Sequence, residues 1–251
     1  MIAERALPCF QGLINAISVS TAHLKFLSTN AQHLLAASLH ATIMEHARAI
    51  STLVESGNAT GSFIVLRSLL EASVDLFNLV SDPTYSEFMH SALLDQQQYL
   101  LESLPDEDRS NPYLAEFFEH WNDTQAALTR VRIKLKELKA RDIKPLGIRE
   151  RFKRANRLDL YKVPYAYLCW HSHNNINILE ERHLQQTSTG FAITYSRSPD
   201  DHDVLLILDT SAGLIANSVA FLYQLLEVPS PSPELEGVMA ALDRLRAVWK
   251  G

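Results

Sequence analysis

Phe63-Ile-Val-Leu66-Arg67-Ser-Leu69-Leu70-Glu71-Ala-Ser-Val74-Asp75-Leu76-Phe77-Asn-Leu-Val80 is the stretch on which the fold turns. Phe63, Leu66, Leu69, Leu70, Val74, Leu76, Phe77 and Val80 recur so as to cover most of a helical surface. A helix apolar on most sides belongs in the middle of a bundle. Asp82-Pro83 ends it, because the residue before proline is driven out of the helical region. Arg67, Glu71 and Asp75 interrupt the apolar pattern at four-residue intervals, which puts their side chains on one side of the helix.

Outward from this segment the chain keeps helical spacing. Upstream, Asn30 is placed to cap a helix whose apolar residues run from Leu34 to Val54, and Gly57-Asn58 closes it. A first helix is expected over residues 2–18, with Pro8 near its start. Downstream, residues 84–104 form an amphipathic helix that stops at Pro105 and the acidic loop Asp106-Glu107-Asp108. Asn111-Pro112 has the cap-then-proline order that opens a polar helix, here reaching about Ala140. A short basic helix follows at 145–155. Residues 157–185 read as one long helix, regular from about Pro164.

The pattern then shortens. Gly190–Ser196 and Asp203–Leu208 are β-prone runs flanking Arg-Ser-Pro-Asp-Asp-His, the signal of a small hairpin near 190–208. The second run reads equally as the start of the helix over about 209–227, so strand and helix both stand for 203–208. Pro229, Pro231 and Pro233 make a stiff break before a final amphipathic helix at about 234–249. The expected architecture is mainly α: a bundle of long helices with a small β-hairpin between the last long ones. Residues 1–29 carry an N-terminal helix, 30–228 the bundle core, and 229–251 a C-terminal helix after the proline-rich break.

At 251 residues, 47% hydrophobic and 21% charged, the chain can bury a core of ordinary size without metal or disulfide. Its formal net charge of −6 argues against broad, non-specific binding to nucleic acid or to an acidic membrane. Two cysteines, Cys9 and Cys169, are too few for a disulfide framework, which points to a cytoplasmic compartment. No stretch of about 20 apolar residues is free of charge, so no membrane span is expected, and Met-Ile-Ala-Glu-Arg lacks the layout of a signal peptide.

Two groups of polar residues stand where apolar ones are expected. The first is Arg67 and Glu71. Burying charge is costly unless it is paired. The couple is therefore either an ion pair that fixes helix packing or a guanidinium held by Glu71 so that its other donors face a phosphate or carboxylate. The second is Cys169-Trp-His171-Ser-His173-Asn174-Asn175. Tyr165, Leu168, Ser172, Ile176, Leu179 and His183 make the inward stripe of that helix. His173 lies one step from it, beside Asn177, and His171 points elsewhere. His173 is thus the candidate acid/base, with Arg67 as phosphate clamp and Glu71 as its orienting partner. Tyr165, His171, Asn174 and Asn177 are candidate ligand-binding residues.

No metal or other cofactor is expected. His-x-His on a helix sets the two rings about 200° apart, wrong for one ion. Met44-Glu45-His46 and the His33/His40 pair also lack a complete set. No glycine-rich phosphate loop or nucleophile elbow is present. The twelve Arg and Lys residues between Arg130 and Arg157 form either a solvated face or a docking surface for an acidic partner or nucleic acid.

Leu53-Val-Glu-Ser-Gly57, Leu66-Arg67-Ser-Leu-Leu-Glu71 and Asp82-Pro83, together with Tyr165-x-x-Leu168-Cys169-x-x-Ser172-His173-Asn-Asn175 and Leu179-x-x-Arg182-His183, resemble an uncharacterised bacterial all-helical family, a domain of unknown function. The likeness spans roughly residues 30–225. The layout is also similar, more loosely, to the HEPN superfamily, whose helical bundles include dimeric RNases of defence and toxin systems. That resemblance implies RNA or a nucleotide as substrate and a homo-oligomer. The superfamily's active motif sets Arg a short interval before His. No Arg stands so before His171 or His173, so Arg67 would act from another helix.

Overall fold

A computed structural model describes residues 2–103, 111–112, 123–173, 175–195, 200–229 and 232–250. Asn174, the acidic loop at 106–108 and the stretch 196–199 lie outside them. The architecture is mainly α with one antiparallel hairpin. In chain order the elements are α1 (Ile2–Thr21), α2 (Ala31–Glu55), α3 (Ala59–Ser81), α4 (Tyr85–Ser103), α5 (Thr124–Ala140), α6 (Ile148–Arg154) and α7 (Leu158–Leu160). A π-turn (Tyr161–Tyr165) leads into α8 (Ala166–Ser172) and α9 (Ile176–His183); β1 (Leu184–Thr187), β2 (Gly190–Ile193), α10 (Asp201–Leu225) and α11 (Pro233–Lys250) complete the order. The chain divides into two compact units, one of residues 1–81 and 151–251, the other of 82–150.

In the larger unit α3 is central, as its apolar surface demands, packing against α2, α8 and α10. Leu66, Leu69, Leu70 and Leu76 are all but fully buried. Each such side chain contributes roughly 1.5–3 kcal/mol by leaving water. Asn30 caps α2 as its chemistry predicts, accepting from the amides of Gln32 and His33, and Gly57 after the helix adopts the left-handed φ of 74° that glycine tolerates best. The terminal helices α1 and α11 pack on each other and both touch α10, so they belong to this unit's core. By length and composition α10 is apolar enough to cross a membrane. Here its buried stripe, from Val204 to Tyr223, faces the neighbouring helices.

In the smaller unit α4 packs on α5 through Leu94, Leu101, Ala127, Leu128, Val131 and Leu135. The described part of the helix expected from Asn111-Pro112 begins at Thr124, where the Asp123 side chain accepts from the Ala126 amide. The outward face of α5 carries Arg130, Lys134, Lys136 and Lys139, all exposed. Arg132 pairs with Glu102, and Arg141 with Glu87.

Two expectations are corrected. Residues 157–185 are not one helix. Around Pro164, which has no amide hydrogen to give, the coil widens into the π-turn. It then breaks at His173, whose backbone is extended, and restarts when Asn175 caps α9 by accepting from the Asn177 and Ile178 amides. Asn is a strong N-cap residue, so the signal for this restart lies in the sequence at Asn175, although the apolar period runs on through it. The hairpin is also displaced. Its strands pair Leu184 with Ile193 and Thr187 with Gly190. Residues 203–208 are the first turns of α10, because Asp200 caps that helix at the Asp203 amide and the core-facing period continues to Tyr223.

Candidate polar cluster between α3 and the π-turn

The charges of α3 are met from two directions. Arg67 and Glu71, one turn apart, pair at 3.2 Å. Tyr165, at the end of the π-turn, sets its hydroxyl between them, accepting from Arg67 Nε at 3.3 Å and Nη2 at 3.0 Å and donating to Glu71 Oε1 at 2.8 Å. The guanidinium carbon also lies 5.3 Å from the centre of the Tyr165 ring. One turn on, Asp75 accepts from Arg151 Nη1 at 2.7 Å, and Arg151 Nη2 lies 3.5 Å from Glu71 Oε2. Two guanidinium groups thus face two carboxylates, bridged by a phenol. The side chains of Arg67, Glu71 and Arg151 are about a quarter exposed (27, 26 and 26%), which places the cluster at the edge of the core.

The frame around it is aromatic. Tyr165 stacks on Tyr161 at 5.6 Å and leans on the buried Phe152 at 5.2 Å. The buried Asn78 donates to the Arg151 carbonyl at 3.0 Å, tying the end of α6 to α3. Burial pushes the Tyr165 hydroxyl up to about 12; the Arg67 hydrogen bond opposes that and the Glu71 carboxylate adds to it. Near neutral pH the phenol therefore keeps its proton, as its bond to Glu71 requires. Burial works against the Arg67 charge, but the bond to Tyr165 and the Glu71 carboxylate outweigh it and hold its pKa above the ordinary value. The Nε–Nη2 edge of Arg67, the edge suited to gripping an anion with two bonds, is taken by Tyr165.

The sequence candidates are divided by this geometry. Arg67, Glu71 and Tyr165 come together. His173 does not join them: it is exposed at the end of α8, where its amide closes the helix on the Cys169 carbonyl. His171, expected to point elsewhere, is the imidazole that packs on α3. Its ring lies 4.3 Å from that of Phe63 and 4.7 Å from that of Tyr167. Among the described residues neither ring nitrogen of His171 has a hydrogen-bond partner. Burial, and then the nearby Arg182, lower its pKa. Asn177 is exposed in the first turn of α9.

Arg151 is the member that sequence reasoning missed, since it was grouped with the basic stretch. The arithmetic of α3 contained the clue: one Arg against Glu71 and Asp75 leaves a carboxylate that needs a second cation. For a metal, the described residues offer Asp200, His202 and Asp203, whose donor atoms lie within 4.8 Å of one another. Asp200 is already engaged there as the cap of α10. Replacing Tyr165 by Phe removes the bridging hydroxyl and leaves Arg67 Nε without its acceptor. The expected loss is about 1–2 kcal/mol in urea unfolding, with secondary structure unchanged by circular dichroism.

A family model described as "Family of unknown function (DUF5677)" matches residues 33–191. The chain belongs to that family. No curated protein and no solved structure matches it. The DUF5677 region contains every member of the Arg67–Glu71–Tyr165–Arg151–Asp75 cluster, together with His171 and His173. α10 and α11 lie beyond it.

Proposed function

We propose that this protein is a non-enzymatic helical binding module that self-associates, and that the polar cluster fixes α3 against α6 and the π-turn rather than acting on a substrate. One contact carries the reading: the protonated Tyr165 hydroxyl fills the position opposite Arg67 and Glu71 that an acid/base imidazole would need. The matched charges of Arg67, Arg151, Glu71 and Asp75 agree with a closed structural network. Free Cys9 and Cys169 suit a reducing, cytoplasmic compartment.

Self-association is supported by the arm formed by α9 and the hairpin. All eight strand residues are exposed and α9 buries none of its residues. Leu184, Phe191 and Ile193 share one face of the hairpin, at 42, 69 and 67% exposure. A lone two-stranded hairpin is marginal in water, and an apolar face of this kind marks an interaction site. A second copy brings the same arm, so two arms related by a two-fold axis would cover each other. The exposed basic face of α5 is the candidate surface for an acidic partner.

The competing reading is a metal-independent, HEPN-like RNase or nucleotide-processing protein with His173 as acid/base and Arg67 as clamp. Purified protein incubated with pooled cellular RNA, with and without EDTA, beside His173→Ala, separates the two. Both proteins should leave the RNA intact. Cleavage by the wild type that disappears in a folded His173→Ala variant would overturn the proposal. Light scattering should give a dimer that Phe191→Ser with Ile193→Ser converts to monomer; a wild-type monomer at micromolar concentration would remove the self-association.

A further inference from the structure

Within the larger unit, α3, the π-turn with α8, and the first turns of α10 enclose a cavity of about 320 Å³. This is the lower end of the range for small-ligand pockets. Leu66 and Leu168, both all but fully buried, supply its inner wall. Pro164 and Tyr167 line one side, and Val163, 71% exposed, stands at the mouth. His202, Leu206 and Thr210 line the other side, four residues apart and so on one stripe of α10. The π-turn carries Val163 and Pro164 to this wall, and such turns recur at functional sites.

Charge is absent from the lining. Among the described residues no Asp, Glu, Lys or Arg contributes to it. A carboxylate or an ammonium drawn inside would give up its water with no opposite charge to meet it. One hydroxyl, by contrast, is left over. Other helical threonines of this chain return their hydroxyl to the carbonyl four residues back: Thr21 to Ile17, Thr42 to Ser38, Thr52 to Arg48 and Thr129 to Gln125. Thr210 makes no such bond to Leu206, and among the described residues its hydroxyl has no hydrogen-bond partner. Volume sets the size of an occupant. An apolar cavity of about 150 Å³ holds benzene, and roughly twice that volume suits two fused rings.

We propose that this cavity binds a neutral molecule of two fused rings with a single hydroxyl or N–H group, its rings on Leu66, Pro164, Leu168 and Leu206 and its polar group bonded to the Thr210 hydroxyl. The inference goes beyond the reading of a self-associating module and uses no member of the Arg67–Tyr165 cluster. Titration calorimetry on the full-length protein near neutral pH, with 2-naphthol, naphthalene, 2-naphthoate and protonated 2-naphthylmethylamine as probes, tests it. The four share one ring system and differ in hydrogen bonding and charge.

2-Naphthol should bind roughly three- to ten-fold more tightly than naphthalene, the margin of one hydrogen bond. It should bind at least roughly ten-fold more tightly than either charged probe. Thr210→Val keeps nearly the same shape without the hydroxyl. It should bring 2-naphthol down to the level of naphthalene and leave naphthalene unchanged. Leu206→Trp, which fills the cavity, should abolish binding of both. Val163→Trp, at an exposed position, should narrow the mouth and weaken both, so the test survives if Leu206→Trp fails to fold. No binding of 2-naphthol, or a charged probe bound as tightly, would overturn the proposal. So would 2-naphthol binding that Thr210→Val leaves unchanged, or that both tryptophan variants leave intact. Binding by the Phe191→Ser, Ile193→Ser protein but not by the wild type would overturn it too, since the arm of a second copy would then fill the cavity.

Discussion

Acidification from about pH 7 to pH 4.5 should cost this protein about 2–3 kcal/mol of stability through His40 alone. His40 is 8% exposed, on the face of α2 that meets α10. Its Nδ1 lies 3.0 Å from the Ser218 hydroxyl, which itself donates to the Ile215 carbonyl at 2.7 Å. The hydroxyl proton being spent, Nδ1 must be the donor, so the ring is the neutral Nδ1–H tautomer. Burial lowers its pKa from 6.5 to about 4. The unfolded chain therefore takes up this proton below about pH 6.5, and the folded chain only near 4. The unfolded state gains protons first, and stability falls as pH drops through that window. His171, also lowered by burial, acts with the same sign. Urea unfolding of the wild type and of His40→Met at the two pH values isolates the effect, because carboxylate titration is common to both. The variant should lose about 2–3 kcal/mol less on acidification. Equal losses in the two proteins would show that His40 is not held neutral by burial.

Glu71→Leu should be the most damaging change in the polar cluster, at about 2–3 kcal/mol. Breaking a buried charge pair costs roughly 3–5 kcal/mol, and quarter exposure of these side chains reduces that through solvent screening. Glu71 is the acceptor that Arg67, Arg151 and Tyr165 share, so its loss strands the Arg67 guanidinium and the phenol and leaves Arg151 with Asp75 alone. Adding Arg67→Met should restore stability to within about 1 kcal/mol of wild type, since apolar side chains of similar size often replace a buried pair without loss. Arg151 keeps Asp75 at 2.7 Å in both variants, and the Tyr165 hydroxyl can take water at the partly open edge. Urea denaturation of the single and double variants measures the coupling. A double variant as unstable as Glu71→Leu would mean that the Arg67 charge is not simply a burden relieved by its partner. A double variant that stays folded yet loses partner or ligand binding would move the functional site back to this cluster.

Much of this was written in the chain. The cap at Asn30, the glycine stop at Gly57 and the proline stop after Ser81 each act within a few residues, so α2 and α3 were readable with their ends. The pairing of Arg67 with Glu71 followed from helical spacing, and Tyr165 could be placed on the inward stripe. The break at His173 is not legible from period alone, which does not distinguish a helix interior from two short helices joined by an Asn cap. The run at 203–208 was ambiguous because β-branched and leucine-rich segments satisfy strand and buried helix alike until a cap such as Asp200 is seen to hold.

The sequence by itself determined a helical protein with α3 at its centre, and it required that the charges on that helix find partners, because unpaired charge cannot be buried at reasonable cost. Only the tertiary structure decided which partners they are. Arg151 arrives from residues some eighty positions away and Tyr165 from a π-turn, while the imidazole beside α3 is His171 and not His173. Local propensity governs where a helix starts and stops. Which face of it meets which side chain depends on how the coil is wound at Pro164 and broken at His173, and such changes rotate everything downstream.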